Sequence, residues 1–206
     1  MLNSVLTGKN LVQEISMTMP PSFHLTILIS STVSSSLVEP IQKKRPDGTV
    51  TMVVITPATV IQEVLKMATW HGIVWEHSFH LMAKEENETL LVQQCMESLL
   101  PRGRLWITSL SYRSHLPWTL PLQRWFQSAC LAVEHLEVEQ SRLSRVVFLP
   151  QRVTKKEFEE ILRSYAWSYL PQASQEEIDL LLSHLPTDPL SHYILHLYYV
   201  RLDFIH

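Results

Sequence analysis

The densest group of potential metal ligands in the sequence is His71, Glu76, His77 and His80. Two imidazoles three residues apart share a side of a helix but point to opposite faces of a strand. Residues 73–82 are predicted to form a strand, so His77 and His80 are not expected to share a metal ion. We interpret these histidines as surface or half-buried side chains next to Trp70 and Trp75.

A second histidine pair, His192 and His196, lies four residues apart on a helix predicted at the end of the chain. The two side chains share a face, but neither a cysteine nor a carboxylate stands beside them at ligand spacing. Structural zinc sites almost always use four ligands. We therefore expect no metal ion, and no other cofactor, in this protein.

One tripeptide could take part in acid–base catalysis. His24-Leu25-Thr26 lies on a predicted strand and resembles the first H-x-T element of two-histidine phosphoesterases. The resemblance implies two such tripeptides facing each other, with one histidine as base and the other as acid. Trp106-Ile107-Thr108 stands where the second would fall, and one histidine cannot supply both roles. A hydrolase or RNA-processing phosphoesterase using His24 and Thr26 is therefore the alternative hypothesis.

The segment Leu99–Ile107, with the sequence LLPRGRLWI, resembles the helix–turn–strand that occurs late in methyltransferase folds. The glycine-rich cofactor loop that this family places earlier in the chain is absent. We interpret the segment as a helix that ends at Pro101-Arg102-Gly103 and is followed by an ordinary strand.

Glycine is scarce, and no two glycines lie within 20 residues of each other. Loops that hold phosphates need clustered glycines, because their backbone must approach the ligand closely and adopt positive φ. P-loops, dinucleotide-binding loops and nucleophile elbows are therefore excluded. Local turns and helix ends account for three of the four glycines, which are Gly8, Gly48, Gly72 and Gly103.

The net charge of the chain is −3, from 17 Lys and Arg against 20 Asp and Glu. General electrostatic binding of nucleic acid is therefore not expected. Lys43, Lys44 and Arg45 form a run of three cations, a candidate basic patch whose simpler interpretation is a solvated hairpin tip.

The chain has two cysteines, Cys95 and Cys130, which are too few for a disulfide scaffold. Both lie in apolar helical patterns and are predicted to be buried, reduced thiols. Neither a secretory signal nor a transmembrane segment is recognisable. We expect a cytoplasmic protein, with the nucleus and peripheral contact with a membrane left open.

Strands and helices alternate up to about residue 150. Residues 23–32 and 49–55 are predicted as the two strands of a hairpin, with a further edge strand at 37–41 and a turn at 45–48. The fold class expected is α+β, with a mixed or mostly antiparallel sheet, packed helices and a three-helix C-terminal part. The expected organisation is a loosely held arm (1–21), an α+β core (22–150) and a helical subdomain packed on the core (151–206).

Capping boxes at Thr154-x-x-Glu157 and Ser174-x-x-Glu177 predict the starts of the first two C-terminal helices. The third predicted helix is apolar around most of its circumference, so it must be buried in its own domain or against a partner. Its candidate interface residues are Tyr193, Leu197, Tyr198, Leu202 and Ile205.

Because no catalytic constellation is recognisable, the leading hypothesis is a protein that is not an enzyme. It would be an interaction or assembly protein that binds another protein or a second copy of itself. One version is a small viral matrix or accessory protein.

Overall fold

The structure is a computed structural model of the 206-residue chain, and it describes residues 3–30, 35–56, 59–82, 88–110, 144–160, 163, 174–183 and 192–203. The described strands are β1 (His24–Ser30), β2 (Thr49–Ile55), β3 (Trp70–Glu76), β4 (Leu99–Leu110), β5 (Ser144–Thr154) and β6 (His192–Asp203). The described helices are α1 (Asn3–Thr18), α2 (Val38–Lys44), α3 (Ile61–Lys66), α4 (Phe79–Met82), α5 (Glu88–Glu97), α6 (residues 155–160) and α7 (Gln175–Ser183). Among these helices none is long and apolar enough to cross a membrane.

The six strands form one sheet in the order β2-β1-β3-β4-β6-β5. Strand β1 pairs in parallel with β2 and β3, and β3 pairs in parallel with β4. Strand β6 is antiparallel to both of its neighbours, β4 and β5. Strands β1 to β5 therefore share one direction. The prediction of an α+β fold with a mixed or mostly antiparallel sheet is wrong, because the described sheet is mostly parallel and belongs to an α/β arrangement.

The error lies in the connection between β1 and β2, which was expected to be a hairpin. The segment predicted as an edge strand at residues 37–41 is instead the start of α2. Leu37 and Ile41 are both fully buried, and their spacing of four residues fits one face of a helix rather than one face of a strand. Because a helical crossover returns the chain to the same end of the sheet, β1 and β2 are parallel.

Helices cover both faces of the sheet. Alternate residues of β1 and β3, such as Leu25, Ile27 and Val74, pack with α1 and α2 in one core. The residues between them, such as Leu28 and Trp75, point to the opposite face of the sheet and pack with α3, α4 and α5 in a second core. The chain is therefore a three-layer α/β domain in its described part.

The N-terminal segment belongs to this core. Leu11 and Ile15 of α1 have no exposed surface, and Met19 is 5% exposed. The prediction that residues 1–21 form a loosely held arm is therefore wrong for the part that contains Leu11, Ile15 and Met19. The domain boundaries at residues 21 and 150 stay a prediction.

The C-terminal part contains a strand where the third helix was expected. Residues 192–203 form β6, which lies between β4 and β5. A run that is apolar on all sides fits a strand buried on both faces as well as a buried helix, and sequence periodicity does not separate the two. The two capping boxes are confirmed, because the Thr154 and Ser174 backbone N–H groups donate to the Glu157 and Glu177 carboxylates at 2.8 Å.

The turn at residues 45–48 is confirmed, although it joins α2 to β2. Only glycine fits at position 48, because the Phe23 ring packs against its backbone and a Cβ would lie 2.1 Å from Cε1 of Phe23. Gly72, expected at the end of a helix, instead lies within β3, where a Cβ would meet Leu25 at 2.6 Å.

Candidate functional site at the carboxyl ends of the parallel strands

The order of the parallel strands reverses next to β1. The chain passes from β1 to β2 on one side and then returns to place β3 on the other side. In doubly wound sheets, ligands bind in the crevice outside the carboxyl ends of the strands at such a switch point. By this rule the candidate crevice lies beside Ser30, the last residue of β1, and Glu76, the last residue of β3.

The Glu76 carboxylate is 2% exposed and accepts three hydrogen bonds from one short segment. The Ser35 hydroxyl donates at 2.6 Å, the Ser36 backbone N–H at 2.9 Å and the Ser36 hydroxyl at 2.5 Å. Burial raises the pKa of Glu76 above its ordinary value, while the serine hydrogen bonds act in the opposite direction. Glu76 therefore ties the segment just before α2 to the end of β3.

The turn that follows β3 is bonded to both neighbouring strands. The His77 N–H donates to Thr108 Oγ1 on β4 at 3.2 Å, and the Ser78 hydroxyl donates to the Leu28 carbonyl on β1 at 2.9 Å. His77 has a φ of 52° and is fully buried. A non-glycine residue persists in this conformation only where its surroundings impose it, and such residues cluster at functional sites.

Ser30 supplies an unsatisfied polar group at this switch point. Its side chain is 1% exposed, and its Oγ has no hydrogen-bond partner in the described part of the chain. A buried hydroxyl without a partner is destabilising by about 1–3 kcal/mol, so native proteins rarely keep one without a reason. A bound ligand with a polar group would satisfy it.

Sequence reasoning missed the serines of this site. The run Ser34-Ser35-Ser36, between the strands predicted at residues 23–32 and 37–41, was assigned no function. The available signal was its position, because a polar stretch directly after a buried strand marks a carboxyl edge when that strand is parallel to its neighbours. Strand direction was the missing information.

The group His71, Glu76, His77 and His80 is divided between the two edges of the sheet. His71 is the second residue of β3, at the amino edge, whereas His77 follows the end of β3 and His80 lies in α4. The strand predicted over 73–82 therefore ends at Glu76. No group of three His, Cys, Asp or Glu side chains in the described residues could hold a metal ion.

His24 also lies at the amino edge, away from the crevice. Its side chain is exposed and its backbone N–H donates to Nδ1 of His71 at 3.0 Å, while Thr26 is fully buried. Burial, and to a smaller extent the charge of His24, lowers the pKa of His71. The phosphoesterase hypothesis is therefore wrong, because His24 lies at the amino edge of the sheet and the candidate site lies at the carboxyl edge.

The three cations of the predicted basic patch have different surroundings. Lys43 and Lys44 are exposed at the end of α2. The Arg45 guanidinium is engaged within the fold, where it pairs with Asp47 at 2.7 Å, lies over the Phe23 ring and donates to backbone carbonyls near the end of α1. A binding role for the two lysines stays a prediction.

The candidate interface residues lie on a strand rather than on a helix. Tyr193, Leu197, Tyr198 and Leu202 belong to β6, and Ile205 lies outside the described residues. Leu202 is 4% exposed and packs in the core. The apolar C-terminal helix that suggested an interface is therefore absent from residues 192–203.

Cys95 is a buried free thiol, as predicted, and Cys130 lies outside the described residues. The Trp75 indole N–H donates to Cys95 Sγ at 3.3 Å. Burial raises the pKa of the Cys95 thiol to about 12.

No protein-family model matches the sequence, and no curated protein matches it. Among solved structures, the chain is similar to a SAM-dependent methyltransferase from Geobacter sulfurreducens in complex with S-adenosyl-L-homocysteine, at 10% identity and a TM-score of 0.48, covering 98% of this chain and 97% of that one. It is similar to coclaurine N-methyltransferase at 11% identity and a TM-score of 0.49, covering 94% and 71% of the two chains. It is also similar to the cyclase SpnF at 13% identity and a TM-score of 0.49, covering 96% and 82%.

The hypothesis of a non-catalytic interaction or assembly protein, including a viral matrix or accessory protein, is corrected. The interface that this hypothesis placed on a C-terminal helix is not formed as expected, because residues 192–203 are β6 inside the sheet.

Proposed function

We propose that this chain is a methyltransferase-type enzyme whose crevice between the carboxyl ends of β1 and β3 binds an S-adenosyl nucleoside. The observation that carries the proposal is the reversal of strand order at β1, where a crevice is expected beside the buried Ser30 hydroxyl, which has no partner among the described residues. The segment Leu99–Ile107, predicted as a helix end followed by a strand, is strand throughout, so its resemblance to a methyltransferase helix–turn–strand does not carry over. Those residues follow α5 and lie within β4, in the parallel part of the sheet.

The glycine distribution restricts the ligand. No glycine occurs between Ser30 and α2, so this connection lacks the residues that let a backbone approach a pyrophosphate. S-adenosylmethionine carries no phosphate, and it supplies an electrophilic methyl group when it is bound. The missing glycines therefore disfavour a dinucleotide, and because the glycine-rich cofactor loop of methyltransferases is also absent, an S-adenosyl ligand would be held here by other residues.

The residues of the chain have distinct roles in this proposal. Ser30 would form a hydrogen bond with the nucleoside, and Glu76 would keep the segment before α2 in place. The turn at His77 and Ser78, bonded to β1 and β4, would form a rigid wall of the crevice.

Isothermal titration of the purified chain with S-adenosylhomocysteine tests the proposal, with NAD as the comparison ligand. We expect S-adenosylhomocysteine to bind and NAD not to bind. Ser30→Ala should weaken binding about tenfold, the effect of losing one buried hydrogen bond. Ser183→Ala, which removes an exposed serine hydroxyl on α7, is the matched control and should leave binding unchanged. Absence of binding by the wild-type chain, or a preference for NAD, would reject the proposal.

The cytoplasm is the location we propose for this protein, because its buried free thiol at Cys95 suits a reducing compartment. Microscopy of the tagged chain together with fractionation tests this, and recovery with membranes or secreted material would contradict it.

A further inference from the structure

We propose that Glu76 is the positioning residue of this site, fixing Ser35 and Ser36 just before α2 in the place that the ligand requires. This inference rests on the proposed function, because the crevice it shapes is the proposed nucleoside site. Glu76 acts through Ser35 and Ser36, and a direct contact with the ligand is not part of the inference.

Both ends of the connection are attached to fixed points. At one end, Ser30 is the last paired residue of β1 and lies in register with Ile55 of β2. At the other end, Ser35 and Ser36 are held by the Glu76 carboxylate. Glu76 therefore determines where Ser35 and Ser36 lie at the carboxyl edge of the sheet.

The attachment continues into α2. The Ser35 hydroxyl, which donates to Glu76, also accepts a hydrogen bond from the Leu37 backbone N–H at 3.1 Å. Leu37 is fully buried, as is Ile41 one turn later. The start of α2 is therefore coupled to Glu76 through one hydroxyl group.

Glu76 is itself a rigid reference point. As the last residue of β3, it is paired with Ile29 of β1 and Thr108 of β4. The next two residues are bonded to β4 and β1 in turn. Because Glu76 is held by the sheet, we expect its carboxylate to set the position of Ser35 and Ser36, and we do not expect the two serines to set the position of Glu76.

Amide hydrogen exchange of the ligand-free protein tests whether Glu76 holds Ser35 and Ser36 in place, without any measurement of activity. Glu76→Ala removes all three acceptor interactions, and exchange in peptides that cover residues 29–38 should rise about tenfold or more. Glu76→Gln keeps one carbonyl acceptor for Ser36 and should restore part of the protection. Glu14→Gln, which alters another mostly buried carboxylate that accepts hydrogen bonds on α1, is the matched control and should leave these peptides unchanged. If Glu76→Ala does not fold, Ser36→Ala replaces it, with the same rise expected.

The ligand measurement separates the two proposals. Glu76→Ala should weaken binding of S-adenosylhomocysteine about tenfold or more, and Glu76→Gln should recover part of the affinity. If the wild-type chain does not bind this ligand, the proposed function fails, and the exchange measurement alone decides whether Glu76 positions Ser35 and Ser36. Equal exchange in residues 29–38 for Glu76→Ala and Glu14→Gln would overturn the positioning role, as would full affinity in Glu76→Ala.

Discussion

The Tyr199 hydroxyl on β6 donates a 2.8 Å hydrogen bond to the Glu14 carboxylate on α1, across 185 residues of sequence. The same carboxylate accepts from the Arg201 guanidinium and the Trp106 indole N–H, at 3.2 and 3.4 Å. Glu14 is only 9% exposed, so its charge depends on these partners. The last strand and the first helix of the described chain are thus joined by one carboxylate.

Tyr199→Phe tests this junction. The change removes a hydrogen bond to a mostly buried carboxylate and should lower the free energy of unfolding by about 1.5–3 kcal/mol. Urea denaturation measures the loss. Met17→Ala on the same helix changes a 75% exposed side chain and should stay within about 0.5 kcal/mol of the wild type. Equal stability of Tyr199→Phe and the wild type would contradict a stabilising role for the hydrogen bond between Tyr199 and Glu14.

The capping box at the start of α6 provides a second prediction. Thr154 Oγ1 accepts from the Glu157 N–H at 3.3 Å, and the Glu157 carboxylate accepts from the Thr154 N–H at 2.8 Å. Thr154→Ala should destabilise the protein by about 1 kcal/mol, the usual effect of losing a helix N-cap. Chemical denaturation measures this, with Lys156→Ala, whose side chain is 85% exposed, as the control. A loss no larger than that of Lys156→Ala would contradict the prediction.

The contact between His24 and His71 predicts a pH dependence of stability. The Nδ1 atom of His71 must be unprotonated to accept the His24 N–H, and burial lowers the pKa of His71 in the folded state. Because the unfolded chain binds this proton more readily, stability is lost as the pH falls from about 6.5 through the lower folded pKa.

Urea midpoints measured from about pH 7.5 to about pH 5 should therefore decrease less in His71→Gln than in the wild type. The comparison between the two proteins removes the contribution of the remaining histidines. Parallel curves for the wild type and the variant would contradict a role for His71.

Cys95 should be unreactive in the native protein. Its thiol is fully buried, and a pKa of about 12 leaves almost no thiolate near neutral pH. Iodoacetamide should leave the Cys95 peptide unmodified in buffer and modify it completely in denaturant, as peptide mass mapping would show. Modification at equal rates in the two conditions would contradict the observed burial.

Several local features followed from the sequence because neighbouring residues decide them. The capping boxes at Thr154 and Ser174 depend on a hydroxyl and a carboxylate three residues apart. Strands β1 and β2 follow from runs of β-branched and apolar residues, and the turn before Gly48 follows from Pro46 and Asp47. The buried state of Cys95 follows from the apolar pattern of its helix.

Only the tertiary structure decided strand direction, the identity of β6 and the position of the candidate site. Parallel and antiparallel strands have the same side-chain alternation, so pairing direction depends on the path of the chain between them. An apolar run such as residues 192–203 is buried as either a helix or a strand, and its neighbours β4 and β5 select the strand. Ser36 and Glu76 meet at the carboxyl edge of the parallel strands, a proximity that a separation of 40 residues in sequence conceals.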